Sequence, residues 1–226
     1  MIINLLNLFF PKVCLACDDQ LETSEVYVCT FCRHELPLTN FESTVHNDVT
    51  KRLYGRVQLE NASALFWFTK KGLVQHLIHN LKYKGHEDVG KFLGQWLGQE
   101  LKQQERFRTV DVVIPVPLHS KRLRQRGFNQ VHEFGKELAE ALECDFNTKV
   151  LQKDKATKTQ VFKDRIRRWI TDETLFVVTD YESLKGKHIL LVDDIITTGA
   201  TIEICANALS KIEGVTISVA TMAIAE

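Results

Sequence analysis

Residues 189–201, ILLVDDIITTGAT, constrain the fold of this chain more than any other stretch. The run begins with four apolar residues, a pattern typical of a strand that is buried on both faces, and two aspartates follow. A turn rich in Thr and Gly and then a helical pattern come next. A strand covered on both faces requires helices on both sides of a parallel sheet, so the stretch predicts an α/β fold.

The same alternation of strands and helices runs through the chain from residue 62 onward. Apolar runs predict the strands, and apolar residues at helical spacing predict the helices between them. The predicted strands are residues 62–68, 112–116, 188–192 and 215–224, and the predicted helices are residues 73–81, 89–101, 128–142 and 201–212. In the second helix, the small residues Gly90, Gly94 and Gly98 indicate close packing inside a folded protein.

The N-terminal region is organised around four cysteines in two CxxC pairs, Cys14 with Cys17 and Cys29 with Cys32. Two such pairs can place four thiolates around one ion, and four sulfur ligands favour a structural Zn²⁺. A redox-active CxxC pair is the alternative, and the presence of two matched pairs argues against it. Residues 1–50 are therefore predicted to form an N-terminal arm and zinc-binding module, followed by a main domain at residues 55–226.

The turn after the two aspartates has the groups needed to bind a phosphate. Ligands of open α/β sheets lie at the carboxyl ends of strands, and a helix N-terminus offers free N–H groups and a partial positive charge. Asp193 and Asp194 would repel a phosphate, so they are expected to accept hydrogen bonds from sugar hydroxyls or to bind Mg²⁺. The candidate phosphate-binding residues are Thr197, Thr198, Gly199, Ala200 and Thr201.

Two other interpretations of this stretch stay open. In one, Asp193 merely ends a strand and Thr201 caps a helix, with no ligand. In the other, the strand is the Walker B strand of a nucleotide hydrolase, although the chain has no GxxxxGK[ST] and no GxGxxG motif. A site for a ribose 5-phosphate accounts for the carboxylates, the hydroxyls and the glycine together, and it is the interpretation that we favour.

The stretch closely resembles the signature of type I phosphoribosyltransferases, which bind 5-phosphoribosyl 1-diphosphate (PRPP) with Mg²⁺. The order of motifs along the whole chain resembles one branch, the ComF family of bacterial competence-associated proteins. The motifs that carry this resemblance are Phe10-Pro11, the CxxC pair after it, Leu81-Lys82-Tyr83, IPVPL at residues 114–118 and KRLRQRGFNQ at residues 121–130. The resemblance implies a type I phosphoribosyltransferase fold with a small N-terminal four-cysteine zinc module.

The resemblance also implies roles for individual residues. Asp193 and Asp194 would hold the ribose hydroxyls and help to place Mg²⁺, and residues 197–201 would bind the 5-phosphate. Val116, Pro117 and Leu118 match the loop that carries the diphosphate, and Thr157, Thr159 and Gln160 match the flexible loop that covers the reacting centre.

The charge distribution leaves two kinds of partner open. The chain has 29 basic and 29 acidic residues, and this neutral total argues against binding nucleic acid through overall charge alone. Basic residues nevertheless cluster in two predicted loops, 115–136 and 149–168. A patch of this kind neutralises a diphosphate or binds a nucleic-acid backbone. The first loop contains Lys121, Arg122, Arg124 and Arg126.

Two functions follow from these observations. The first is a Mg²⁺-dependent enzyme that transfers phosphoribosyl from PRPP to an unidentified acceptor. The second is a non-catalytic competence protein that binds single-stranded DNA with the same phosphate-binding residues and stacks bases on aromatic side chains, for which the candidates are Phe128, Phe162 and Trp169. The family resemblance implies a role in DNA uptake beside a helicase-like partner.

The location of the protein is an expectation from the same sequence. No apolar run reaches the ~18 residues that span a bilayer, and the apolar start has no basic region before it and no cleavage site after it. We therefore expect a cytoplasmic protein that does not insert into membranes.

Overall fold

A computed structural model of the chain describes residues 11–41, 46–153 and 176–226. In chain order, its strands are β1 (Ala62–Phe68), β2 (Val112–Pro115), β3 (Asp145–Phe146), β4 (Leu151–Lys153), β5 (Phe176–Val178), β6 (His188–Ile196) and β7 (Thr216–Ala225). Five of them form one sheet in the order β1-β7-β6-β2-β3, and every neighbouring pair in it is parallel. The remaining strands, β4 and β5, form an antiparallel pair. The predicted α/β fold with a parallel sheet is confirmed.

Seven α-helices lie within the described ranges: α1 (Thr30–Glu35), α2 (Asp48–Leu53), α3 (Leu73–Tyr83), α4 (Glu87–Lys102), α5 (Ser120–Arg126), α6 (His132–Leu142) and α7 (Ala200–Leu209). Short 3₁₀ turns occur at Glu105–Phe107 and Glu182–Leu184. Within those ranges, none of the helices combines the length and the apolar character that crossing a membrane requires.

The central strand β6 separates two apolar cores because successive side chains of a strand point to opposite faces. Leu190 and Val192 pack in a core with α3, α4 and α6 on one face of the sheet. Ile189 and Leu191 pack in the other core, with α2, α7 and the β4–β5 pair. Burial on both faces explains why this strand reads as a continuous apolar run in the sequence.

The first core continues into the four-cysteine region. Leu15, Val28 and Leu36 are buried in the same cluster as the inner faces of α3 and α4. The segment after α1 then runs beside β1, where the backbone N–H of Trp67 donates to the carbonyl of Pro37 at 2.8 Å. The four-cysteine region is thus packed against the sheet, and the division of the chain at residues 50 and 55 stays a prediction.

Several local predictions differ from the structure. The predicted elements begin at residue 62, yet α2 forms at Asp48–Leu53, because two buried residues, Val49 and Leu53, are enough to pack this short helix. The basic stretch predicted as a loop contains α5, which buries none of its residues and therefore has no apolar period. The predicted helix at 128–142 begins only at His132.

The row of small residues in α4 packs against α6, as the sequence predicts. A Cβ added at Gly94 would lie 2.7 Å from the carbonyl oxygen of Phe134, and one at Gly98 would lie 2.7 Å from the Cβ of Ala141. At Gly90 the nearest atoms would be 3.5 Å away, which is ordinary van der Waals contact. The two helices therefore approach most closely at Gly94 and Gly98.

This difference gives a matched pair of substitutions. Gly94→Ala is expected to lower the free energy of unfolding by about 1–3 kcal/mol, because the added methyl group meets α6 backbone that cannot move freely. Gly90→Ala is expected to be neutral or to stabilise by up to about 1 kcal/mol, because alanine is the better helix former. Urea denaturation followed by circular dichroism measures both, and equal effects of the two substitutions would contradict the packing.

Candidate functional site

The two aspartates lie within β6, which continues through them to Ile196 instead of ending at Val192 as predicted. Because side chains alternate along a strand, Asp194 lies on the α3 side of the sheet and Asp193 on the α7 side. Asp193 is close enough to Cys205 of α7 to add to the increase in that thiol's pKa, which is caused mainly by burial. The two carboxylates are therefore adjacent in sequence but face different helices.

Asp194 is compensated by a lysine from α3. The Nζ atom of Lys82 lies 2.7 Å from Oδ2 of Asp194, and both side chains are largely shielded from solvent, with exposed fractions of 19% and 10%. The backbone N–H of Asp194 donates to Oδ1 of Asp193 at 2.8 Å. The ammonium group of Lys82 thus pairs with Asp194 at the end of the central strand, and the N–H of Asp194 bonds to the neighbouring carboxylate.

The negative charge of Asp193, the second carboxylate, is compensated only by more distant cations. Burial, and then the negative charge of Asp194, raise the pKa of Asp193 to about 8. The N–H group of Asp194 and the ammonium groups of Lys82 and Lys153 act in the opposite direction and only partly offset the increase. Asp193 is therefore a carboxyl group whose charged form is disfavoured unless a cation or a hydrogen-bond donor approaches it.

A cavity of about 390 Å³ opens at these carboxylates. Its lining combines the two acids with several basic side chains and with the loop that follows β2. The lining residues are Lys82, Val116, Pro117, Leu118, His119, Lys121, Arg122, Arg126, Gln130, Lys153, Asp193, Asp194, Ile195 and Thr201. The cavity thus lies at the carboxyl ends of parallel strands, where open α/β sheets bind ligands.

The structure brings most of the predicted site residues together here. Asp193, Asp194, residues 116–118 and three members of the basic patch line the cavity, whereas Arg124 does not. In the turn at residues 197–201, Thr201 lines the cavity, Gly199 is buried, and the other three residues are exposed. Thr157, Thr159 and Gln160 lie outside the described residues, as do Phe162 and Trp169.

The turn after β6 is held by two arginines that the sequence did not single out. Arg52 of α2 donates through Nη1 to the carbonyl of Thr197 at 2.7 Å and through Nη2 to that of Ala225 at 2.6 Å. Arg56 donates to the carbonyl of Thr198 at 2.6 Å and forms an ion pair with Glu203 at 2.8 Å. Their spacing of four residues in a polar segment gives no signal of this long-range contact.

Gly199 is required at the start of α7. Its φ of +80° is in the left-handed region, and a Cβ there would lie 2.7 Å from Cδ2 of Leu53. The N–H group of Ala200 donates to Oγ1 of Thr198 at 3.4 Å, and the next N–H groups of α7 have no acceptor within the helix, so they are available to an anion. The glycine lets the turn pass close to α2 and begin the helix at the edge of the cavity.

The four cysteines form a second candidate site. Their sulfur atoms all lie within 4.8 Å of one another, and a tetrahedral zinc site with Zn–S bonds of about 2.3 Å needs sulfur separations of roughly 3.8 Å. Sγ of Cys14 accepts from the backbone N–H groups of Ala16 and Cys29, at 3.4 and 3.3 Å. These N–H groups suit a thiolate, so the donor set fits a metal ion.

A buried contact joins the cysteine site to the helix that carries Lys82. The side-chain amide of Asn80 donates to the carbonyl of Leu15 at 2.9 Å, and Nδ1 of His76 lies 2.7 Å from the carbonyl oxygen of Ala16. Both carbonyls belong to the loop between Cys14 and Cys17. The first CxxC loop therefore helps to position α3, and with it Lys82.

The raised pKa of Asp193 has a consequence for stability. The folded chain binds this proton more tightly than the unfolded chain, so its contribution to stability falls as the pH rises from about 4 to about 8. Asp193→Asn is therefore expected to raise the melting temperature at pH 8 by at least about 2–4 °C, the equivalent of about 1 kcal/mol, in magnesium-free buffer.

The gain should shrink toward pH 4 and disappear below it, where the carboxyl is protonated in both states. Thermal denaturation at several pH values measures the difference, and Asp88→Asn at an exposed position serves as the control. Melting temperatures of wild type and Asp193→Asn that differ by the same amount at every pH would contradict the assignment.

Comparisons with known proteins agree with this geometry. A family model described as phosphoribosyl transferase domain matches residues 130–225. The DNA utilization protein YhgH of Escherichia coli O157:H7 is 30% identical over 147 residues, which cover 63% of this chain and 63% of that protein. The chain thus aligns with less than two thirds of the length of this relative.

Two further relatives align over most of the chain. The competence protein ComFC of Bacillus subtilis is 25% identical over 205 residues, which cover 88% of this chain and 78% of that protein. Competence protein F of Haemophilus influenzae is 23% identical over 219 residues, which cover 90% of this chain and 93% of that protein. The chain is therefore similar to DNA utilization and competence proteins over most of its length, and residues 130–225 match a phosphoribosyl transferase domain.

Proposed function

We propose that the cavity at the end of β6 binds PRPP with Mg²⁺ and that the protein transfers the phosphoribosyl group to an acceptor. The observation that carries the proposal is the lining of one cavity by two carboxylates, several cations and the start of α7. A ribose phosphate needs acceptors for its hydroxyls and donors for its phosphate, and this lining supplies both. The diphosphate needs additional positive charge, which Lys121, Arg122 and Lys153 supply.

Each part of the cavity has a separate task in this proposal. Asp193 and Asp194 accept hydrogen bonds from the ribose hydroxyls, and the N–H groups of α7 with the hydroxyl of Thr201 bind the 5-phosphate. The loop at residues 116–118 and the cations of α5 hold the diphosphate as it leaves C1. Asp193 and Asp194, with oxygen atoms of the substrate, would hold Mg²⁺, which would supply positive charge to neutralise the diphosphate.

Positioning and charge stabilisation are therefore the contributions of the protein. The raised pKa of Asp193 fits this role, because a nearby cation stabilises the charged carboxylate. Lys82 holds Asp194 in place until ligand arrives.

Calorimetric titration with PRPP tests the proposal. Wild-type protein is expected to bind PRPP at least about tenfold more tightly with Mg²⁺ than without it, a difference of about 1.4 kcal/mol. The double variant Asp193→Asn/Asp194→Asn is expected to lose that dependence, because amide groups are much weaker magnesium ligands than carboxylates. Circular dichroism checks that the variant is folded.

Asp88→Asn is the matched control, since it removes an acidic charge from an exposed position outside the cavity. It should leave both affinities unchanged. Wild-type protein that does not bind PRPP with Mg²⁺ would overturn the proposal. If wild type binds PRPP with Mg²⁺ and the double variant does not, the next step is to screen acceptors for release of diphosphate.

Binding of single-stranded DNA without catalysis is the second candidate function. One observation favours it: within the described part of the chain, the side chains of Lys121, Arg122 and Arg124 on α5 have no hydrogen-bond or ion-pair partner. Arg124 lies outside the cavity, so its charge is available to a longer ligand. The test is binding of a labelled oligothymidylate by wild type and by Arg124→Gln. If wild type does not bind PRPP, and if its affinity for the oligothymidylate falls with added salt and falls in the variant, this function replaces the first.

Zinc is the ion that we propose for the four-cysteine site, in a module at residues 1–50 that serves the main domain at residues 55–226. Four soft sulfur ligands select Zn²⁺, and a site closed by four protein ligands has no place for a substrate. Burial raises the pKa of Cys17 to about 12 in the absence of metal, so a cation is needed to hold the thiolates together.

Cys14→Ser is expected to abolish retention of zinc and to lower the melting temperature of the whole chain, because the cysteine region shares a core with α3 and α4. Elemental analysis by mass spectrometry and thermal denaturation measure the two effects. Cys144→Ser, which changes a cysteine outside the cluster, should retain one zinc per chain. Full retention of zinc by Cys14→Ser would contradict the assignment.

A further inference from the structure

A second cavity, of about 530 Å³, adjoins the site and shares three lining residues with it, Lys82, Arg122 and Arg126. We call it the α3–α5 groove, because the end of α3 and one face of α5 form its walls. Its other lining residues are Tyr83, Gly85, Gln125 and Phe128. A ligand in the groove would therefore contact the same cations as a ligand in the first cavity.

The groove combines an exposed aromatic ring with fixed positive charge. Tyr83 has 68% of its surface exposed, and its ring is near two side chains: the His79 ring, with centroids 5.0 Å apart, and the guanidinium of Arg126, 5.4 Å from the ring centroid. Nη1 of Arg126 donates to Oε1 of the buried Gln130 at 2.7 Å. The ring and the guanidinium are thus held in position before any ligand binds.

Among the residues that the structure describes, none that lines the groove is acidic. Arg122 has no hydrogen-bond or ion-pair partner among the residues that the structure describes, so its charge is uncompensated there. A cationic or neutral aliphatic ligand would supply no counter-charge for the two arginines. A flat ring with a negative charge would stack on Tyr83 and pair with an arginine, and its size suits a cavity of this volume.

We infer that the α3–α5 groove binds a small anionic aromatic molecule, which is the phosphoribosyl acceptor. This identity as acceptor rests on the proposed function. In the transfer, a ring nitrogen donates its lone pair to C1 of the ribose, and the C1–O bond breaks with its electron pair leaving on the diphosphate. A proton carried by that nitrogen passes to water. Lys82, Arg122 and Arg126 line both cavities and would contact both ligands.

Three probes of similar size separate charge from aromaticity. Nicotinate has both, nicotinamide has the ring without the charge, and cyclohexanecarboxylate has the charge without the ring. In calorimetric titrations of the full zinc-loaded chain, nicotinate is expected to bind at least about tenfold more tightly than either of the others, a difference of about 1.4 kcal/mol in each case.

Tyr83→Ala tests the location. The substitution removes the stacking surface of the groove, so nicotinate affinity should fall at least about fivefold. Because Tyr83 does not line the first cavity, PRPP affinity should stay unchanged. Tyr54→Ala removes another highly exposed tyrosine, and Lys136→Gln removes an exposed charge on α6. Neither control residue lines the groove, and both variants should bind nicotinate as wild type does.

The outcomes distinguish this inference from the proposed function. If PRPP binds but nicotinate binds no better than the other probes, or binds equally to Tyr83→Ala, the groove inference is wrong and the proposed function stands. If nicotinate binds in a Tyr83-dependent way but PRPP does not bind, the groove is a ligand site and the transfer reaction is wrong. If nicotinate does not bind but an oligothymidylate binds to wild type and not to Tyr83→Ala, the groove binds a nucleic-acid strand and the inference is overturned.

Discussion

Two adjacent carboxylates at the end of a buried central strand are the constraint around which this structure is arranged. Both are largely removed from water, and a charge in that position needs an opposite charge or a hydrogen-bond donor nearby. Lys82 reaches Asp194 from one face of the sheet, while Asp193 depends on a more distant lysine and keeps a raised pKa. The unequal compensation leaves one carboxyl ready for a cation, which is a property of a binding site more than of a stable core.

The turn after these carboxylates is supported from outside the segment that the family model matches. Arg52 and Arg56 precede residue 130 by more than seventy positions, yet they bind the carbonyls of the turn that begins α7. Carbonyl groups that are turned toward arginines cannot also face the cavity. The two arginines therefore orient the turn so that its N–H groups are available to an anion, and this preorganisation reduces the cost of binding.

Much of the fold was predictable because burial leaves a pattern in the sequence. β1 begins and ends where its apolar run does, and the glycine row of α4 packs as expected. The helix α5 was missed because it is exposed on all sides, so no apolar period marks it. Only two apolar residues mark α2 in the sequence. Arg52 and the nearby Arg56 act through contacts more than 140 residues apart, which no local pattern encodes.

The parts of the candidate site that lie within one sequence motif were predictable. The carboxylates and the loop at residues 116–118 lie together at the cavity, because parallel strands bring their carboxyl ends to one edge. The precise partner of each carboxylate depends on how helices pack on the two faces. Strand alternation could have assigned Asp193 and Asp194 to opposite faces, but the end of β6 was placed four residues too early for that step.

The hydrogen bonds from α3 to the first CxxC loop limit how this region can vary in length. The carbonyls of Leu15 and Ala16 serve as acceptors for Asn80 and His76, so an insertion between Cys14 and Cys17 would shift the helix that carries Lys82. Within the described ranges, the hydrogen bonds of the exposed tip near residues 22–26 stay inside the cysteine region, so extra residues there would extend into solvent. Among homologous chains, natural insertions and deletions should accumulate between the two CxxC pairs and be absent within the first pair.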